Sequence, residues 1–195
     1  MSNFVGKHRA DFGFDAVDGH HGGSEKEFAH VDLFGGTGSE AKIVFGNALL
    51  RQELGFNGLL GQINLGVCTR PRVALLNKIP IKDMDTAVLM FSAAARGIAR
   101  AFALKVEDGT IPEKVADQGF FVVTVFINYG STNYQLVEDN NHEATKLAID
   151  NFMLDTNTRE HMLSHKDDLH ALSPAAAEAA AKAAEAAKNA AAGQP

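Results

Sequence analysis

The chain has 195 residues, 46% of them hydrophobic, with 18 Lys or Arg against 24 Asp or Glu and a formal charge of −6. That apolar content can bury a core and excludes wholesale disorder, while the acidic balance argues against a nucleic-acid binder. The single cysteine, Cys68, excludes an intrachain disulfide; with no signal-like start and no apolar run of membrane length, a cytoplasmic protein without membrane contact is expected.

Residues 1–26 are rich in Gly, Asp and His and read as a strand remnant followed by a loop. From Glu27 the texture changes: Phe28, His30, Asp32 and Phe34 alternate with Ala29, Val31 and Leu33, the period of a strand. Gly35-Gly36-Thr37-Gly38 ends it, and Ser39 is placed to cap a helix with Ala41, Val44, Phe45, Ala48 and Leu49 on one face. Gly55 suits a left-handed turn. Two apolar segments, 58–65 and 72–79, read as strands separated by Gly66 and Pro71.

Asp83 opens the clearest helix, in which Met84, Ala87, Val88, Phe91, Ala95, Ile98, Ala99 and Phe102 fit one helical stripe up to Gly109. Pro112 begins a short helical turn, and the β-branched, aromatic run Phe120 to Asn128, broken by Thr124, reads as a central strand. A further amphipathic helix is expected over 140–153. The order β-α-β-β-α-(α)-β-α gives a two-layer mixed α/β domain. Residues 155–195 form a polar, then alanine-rich helical extension, in which Ser173 and Pro174 suit a helix start and Glu178 and Lys182 pair one turn apart.

Four groups of residues suggest chemistry. His30 and Asp32 project from one strand face, roughly 7 Å apart along the chain. A histidine there can act as a general acid or base while the carboxylate holds its charged form; a satisfied polar pair on a strand face is the plainer alternative. Gly36-Thr37-Gly38-Ser39-Glu40-Ala41 matches a phosphate-cradling turn, but Phe56 and Asn57 occupy the region where a dinucleotide fold needs an acidic residue. His161 and His165 share a helix face near Asp168 and His170 without a cysteine, and His142-Glu143 lacks the second histidine of a zinc motif, with Lys146 in its place, so no metal is expected. Arg70, Arg72, Lys78 and Lys82 are four cations with no acid between Gly66 and Lys82, a local +4 that suits an anionic small molecule or a lysine-guarded strand edge.

The residues from about 27 to 152 resemble the formaldehyde-activating enzyme family. The resemblance rests on an ordered set of strings: Ala29-His30-Val31-Asp32-Leu33, Phe45-Gly46-Asn47, Gly55-Phe56 with Leu59-Leu60, Asn77-Lys78, Ala87-Val88 with Met90-Phe91, Gly109-Thr110-Ile111-Pro112, Val125-Phe126-Ile127 and Glu143-Ala144-Thr145-Lys146-Leu147. It implies an α/β sandwich over 27–154 with a left-handed βαβ crossover, and a homo-oligomer, by resemblance a pentamer, with sites between subunits. It also implies condensation of formaldehyde with tetrahydromethanopterin, or a related reduced pterin, to the methylene derivative and water in one-carbon metabolism.

Carried over position by position, the resemblance makes His30 the acid and Asp32 a pterin contact, with Leu60 and Lys78 as further substrate-binding residues. Two positions depart. A polar threonine of the family falls on Pro80, and a glutamine on Ala95. A divergent paralogue that binds a one-carbon carrier or formaldehyde without turnover, as carrier or sensor, is the alternative these departures raise.

Overall fold

The computed structural model describes residues 15–22, 26–50, 53–156 and 158–168, with Ser173, Ala175, Glu178 and Lys182. In chain order the elements are β1 (Asp15–His21), β2 (Ala29–Gly36), α1 (Ser39–Leu50), β3 (Gly58–Leu60), β4 (Gln62–Asn64), β5 (Val67–Cys68), β6 (Arg72–Asn77), α2 (Met84–Val88), a π-helical turn (Leu89–Ala94), α3 (Ala95–Glu107), α4 (Glu113–Gln118), β7 (Phe120–Phe126), α5 (Tyr134–Leu154) and α6 (Arg159–Ser164). The fold is the expected mixed α/β domain. Five strands form one sheet in the order β1-β2-β7-β6-β3, and β4 and β5 make a separate hairpin.

β7 lies at the centre, antiparallel to β2 and parallel to β6. Its position explains its sequence: Phe121, Val122, Val123 and Val125 are all buried because helices approach both faces. The parallel pair β6 and β7 is joined through α2, α3 and α4, which is the βαβ crossover. α3, α5 and the π turn cover one face, where Val31, Leu33, Val73, Leu75, Val123 and Phe121 meet Ile98, Phe102, Ile149 and Phe152. α1 covers part of the other face, packing Val44, Phe45, Ala48 and Leu49 on Phe34, Leu76 and Val122, as its apolar stripe requires. β1, at the edge beside β2, lies within residues 1–26, the segment read as a strand remnant followed by a loop.

The structure departs from the sequence reading in three places. The segment 58–65 is two short strands, because Gly61 keeps its N–H on the Val73 carbonyl of β6 while its own carbonyl accepts the Thr69 N–H. In the long helix, Met84 is 75% exposed and Val88 is also exposed, while Leu89, Met90, Ala93 and Ala94 are buried instead. The π turn adds a residue to one turn and rotates the buried stripe, so a strict 3.6-residue template fails upstream of it. By length and composition Met84–Glu107 could cross a membrane, but half of its most apolar window is buried in the fold.

Third, α5 begins six residues before position 140, capped by the Asn133 side chain, which accepts the Leu136 N–H. Buried polar residues hide this first stretch from a hydrophobicity pattern. Glu138, 1% exposed, is held by Arg96 and Arg100 from α3, and Asn140 donates to the Glu27 carbonyl. The contact is close: a methyl group at Gly97 would collide with the Glu138 carbonyl oxygen. Gly97→Ala therefore lowers stability by about 1–3 kcal/mol, the usual cost of overpacking, measured by denaturant unfolding.

Asp83 caps α2 through the Thr86 N–H, and the backbone and side-chain hydrogen bonds from Thr86 hold its carboxyl below the usual aspartate value. A carboxyl lowered by folding contributes its stability above the unfolded value and loses it as pH falls through the folded one. Asp83→Asn accordingly flattens the acid limb of stability against pH, which thermal melts across the acid range will show.

Of the tail, the described part includes α6 and the expected pair of Glu178 and Lys182, 2.6 Å apart. Pro174 and most of the alanine-rich run lie outside the described residues.

Candidate active site

Alternation along β2 sends Ala29, Val31 and Leu33 into the helix-side core and leaves His30, Asp32 and Phe34 on the opposite face. The register then sets their neighbours. His30 pairs with Phe126 and Asp32 with Thr124, while Leu76 of β6 flanks Thr124 on its other side. Lys78 follows β6 by one residue, and its N–H bonds the Val125 carbonyl at 2.7 Å, which brings it level with the His30 end of the sheet.

The result is a compact polar cluster on an otherwise apolar surface. Lys78 Nζ lies 2.7 Å from Asp32 Oδ2, and Thr124 Oγ1 donates to the same oxygen at 2.7 Å. The other oxygen, Oδ1, is 3.4 Å from His30 Nε2. The side chains of His30, Lys78 and Asp32 are 23%, 25% and 31% exposed, so all three are partly withdrawn from water yet reachable. In such a position the interaction of the carboxylate with the Lys78 ammonium is screened less than at the open surface.

The loop beyond Lys78 is built around Asn77, a buried amide with every role filled. Its Nδ2 donates to the Gly55 and Ile79 carbonyls at 2.7 and 2.6 Å, and its Oδ1 accepts the Asn57 N–H at 2.9 Å. Gly55, at φ 79°, supplies the left-handed turn that lets its carbonyl also receive the Ile81 N–H. The Tyr129 hydroxyl donates to the Pro80 carbonyl at 2.8 Å, and Lys82 Nζ sits 4.0 Å from the centre of the Tyr129 ring. Beside the cluster, α1 and the sheet enclose a mostly apolar cavity of about 440 Å³, walled by Phe34, Val44, Phe56 and Val122 with Thr124 at its polar edge.

His30, Asp32 and Lys78 therefore come together, but Leu60 does not join them. It stands on the edge strand β3 opposite Ala74, three strands from Asp32, or roughly 14 Å at ~4.8 Å per strand. Pro80 belongs to the loop after Lys78, whereas Ala95 is packed in the core on the opposite side of the sheet from His30. The glycine-rich turn does link a strand to a helix. However, β2 and β3 are separated by β7 and β6, so no parallel dinucleotide-binding unit exists there.

The cationic run is not one patch. Arg72, at the far end of β6, lies over the Phe120 ring and donates to the Asp117 carbonyl. The rings of His161 and His165 stack on exposed α6, and His170 lies outside the described residues. Among the described residues no three His, Cys, Asp or Glu side chains converge as metal ligands would.

Thr124, Asn77 and Tyr129 were not legible as site residues. Thr124 left a trace as the lone hydroxyl in the run Phe120 to Ile127, and Asn77 as part of the string Asn77-Lys78.

Comparison with known proteins gives a consistent picture. Residues 20–173 match the profile of the family described as formaldehyde-activating enzyme. The 5,6,7,8-tetrahydromethanopterin hydro-lyase of Methanosarcina barkeri is 37% identical over 146 residues, which is 74% of this chain and 82% of that protein. The bifunctional enzymes Fae/Hps of Archaeoglobus fulgidus and Methanothrix thermoacetophila are 38% and 34% identical over 72% and 67% of this chain. The match spans only 36% and 34% of those longer proteins. With the profile covering most of its length and a relative 37% identical over 74% of it, the chain belongs to the formaldehyde-activating enzyme family.

Proposed function

We propose that this protein condenses formaldehyde with tetrahydromethanopterin, releasing water and methylene-tetrahydromethanopterin for one-carbon metabolism. The observation that carries the reading is the His30, Asp32 and Lys78 cluster beside an apolar cavity. An amine nitrogen of the pterin attacks the formaldehyde carbon, and its proton passes to the carbonyl oxygen to give a hydroxymethyl adduct. His30, protonated, donates to that hydroxyl; the C–O bond breaks and water leaves. The second amine nitrogen closes the ring on the resulting iminium carbon and returns its proton to the imidazole. Asp32 orients the ring and supports its charge, Lys78 neutralises Asp32 in turn, and holding both reactants in one cleft supplies much of the rate.

Leu60 enters this reading through assembly. With Ile63, Leu65 and Val67 it forms an exposed apolar edge of the kind that subunits cover, so a homo-oligomer, by resemblance a pentamer, would deliver Leu60 to a neighbour's site. Pro80 favours the second reading, a carrier or sensor that binds without rapid turnover, since it offers no side-chain hydrogen bond to a polar ligand; Ala95, in the core across the sheet from His30, bears on neither reading. Calorimetric titration with tetrahydromethanopterin and with folates separates specificity from turnover. Saturable binding of the reduced pterin that weakens in Lys78→Met supports the site, and no binding of any reduced pterin contradicts both readings.

A further inference from the structure

We propose that Thr124 is a positioning residue that holds Asp32 so that one carboxylate oxygen faces the acid His30; the proposal rests on the condensation reading above. The two oxygens of Asp32 are used unequally. Oδ2 takes both the Lys78 ammonium and the Thr124 hydroxyl at 2.7 Å, leaving Oδ1 as the oxygen near His30 Nε2. Lysine alone does not fix this division, because its four-carbon stem lets the ammonium follow whichever oxygen is presented.

Threonine differs in kind. It is β-branched and stiff at χ1, and it sits on the central strand as the direct cross-strand partner of Asp32. Its neighbours two residues away on the same face, Val122 and Phe126, carry no polar group. A hydroxyl on that otherwise apolar strip, within hydrogen-bond distance of the carboxylate, sets the rotation of Asp32 and through it the direction of the imidazole. The bond is short and partly buried, which makes it stronger than the same bond at the open surface.

The test compares the wild type with Thr124→Val, which keeps the branched shape in a valine-rich strand, and with Thr124→Ser, which keeps the hydroxyl. With formaldehyde and tetrahydromethanopterin, kcat for Thr124→Val should fall about tenfold, near the lower end of what a lost hydrogen bond to a charged group costs. KM for the pterin should stay within about twofold, since binding contacts remain, and Thr124→Ser should recover most of the rate. A loss confined to KM, a Thr124→Val rate equal to wild type, or a Thr124→Ser variant as slow as the valine variant overturns the proposal.

A second arm does not depend on turnover. Crystal structures should keep Asp32 Oδ1 toward His30 in the wild type and in Thr124→Ser, and show the carboxylate turned in Thr124→Val. An unmoved carboxylate in the valine variant defeats the positioning role. A wild type that fails to turn over defeats the condensation reading alone, and the carboxylate orientation then decides the role of Thr124.

Discussion

His30→Ala slows the condensation by about 10²- to 10⁴-fold in kcat, the range supplied by a positioned general acid. The melting temperature should change little, because His30 lies on the face of β2 away from the helix-side core formed by Ala29, Val31 and Leu33. The effect is large because hydroxide is a poor leaving group, whereas water formed by proton donation departs easily. Asp32 accepts protons and Lys78 is engaged with Asp32, so within the cluster His30 is the group suited to give a proton and take one back. Steady-state rates of purified wild type and variant decide the matter; equal rates remove His30 from the mechanism.

Asp32→Asn should be the next most damaging change, raising KM for the pterin and lowering kcat together. It removes the charge shared by Lys78, Thr124 and His30, and leaves a partly buried ammonium without its counter-charge. A lost charge-assisted hydrogen bond is worth about 1.5–3 kcal/mol, so kcat/KM should drop by roughly 10- to 100-fold. Lys78→Met should be milder, since Asp32 then keeps Thr124 and His30. The double variant Asp32→Asn with Lys78→Met should lose less than the sum of the two single losses, because the residues act as one unit. Additive losses would show that they bind substrate independently.

The strand β2 and the helix α1 were readable because their patterns are local. Alternation from Phe28 to Phe34 gives the buried face directly, and the stripe Ala41, Val44, Phe45, Ala48 and Leu49 gives the other. The pairing of His30 with Asp32 was legible for the same reason, two residues apart on one strand. Lys78 stands out in the acid-free cationic stretch, but its meeting with Asp32 and Thr124 required the register of three strands, which no local spacing contains. The start of α5 was obscured by the buried polar residues Glu138 and Asn140, whose partners lie on α3 and in the loop before β2. The π turn shifted the buried stripe of the long helix in a way that no repeat of 3.6 residues anticipates.

The most direct measurement is the rate at which formaldehyde and tetrahydromethanopterin disappear with and without purified protein. Wild-type protein should accelerate the condensation at catalytic concentration, and His30→Ala should lose most of that acceleration. A wild-type protein that binds the pterin yet leaves the rate at its uncatalysed value would contradict the enzyme reading and favour a carrier or sensor.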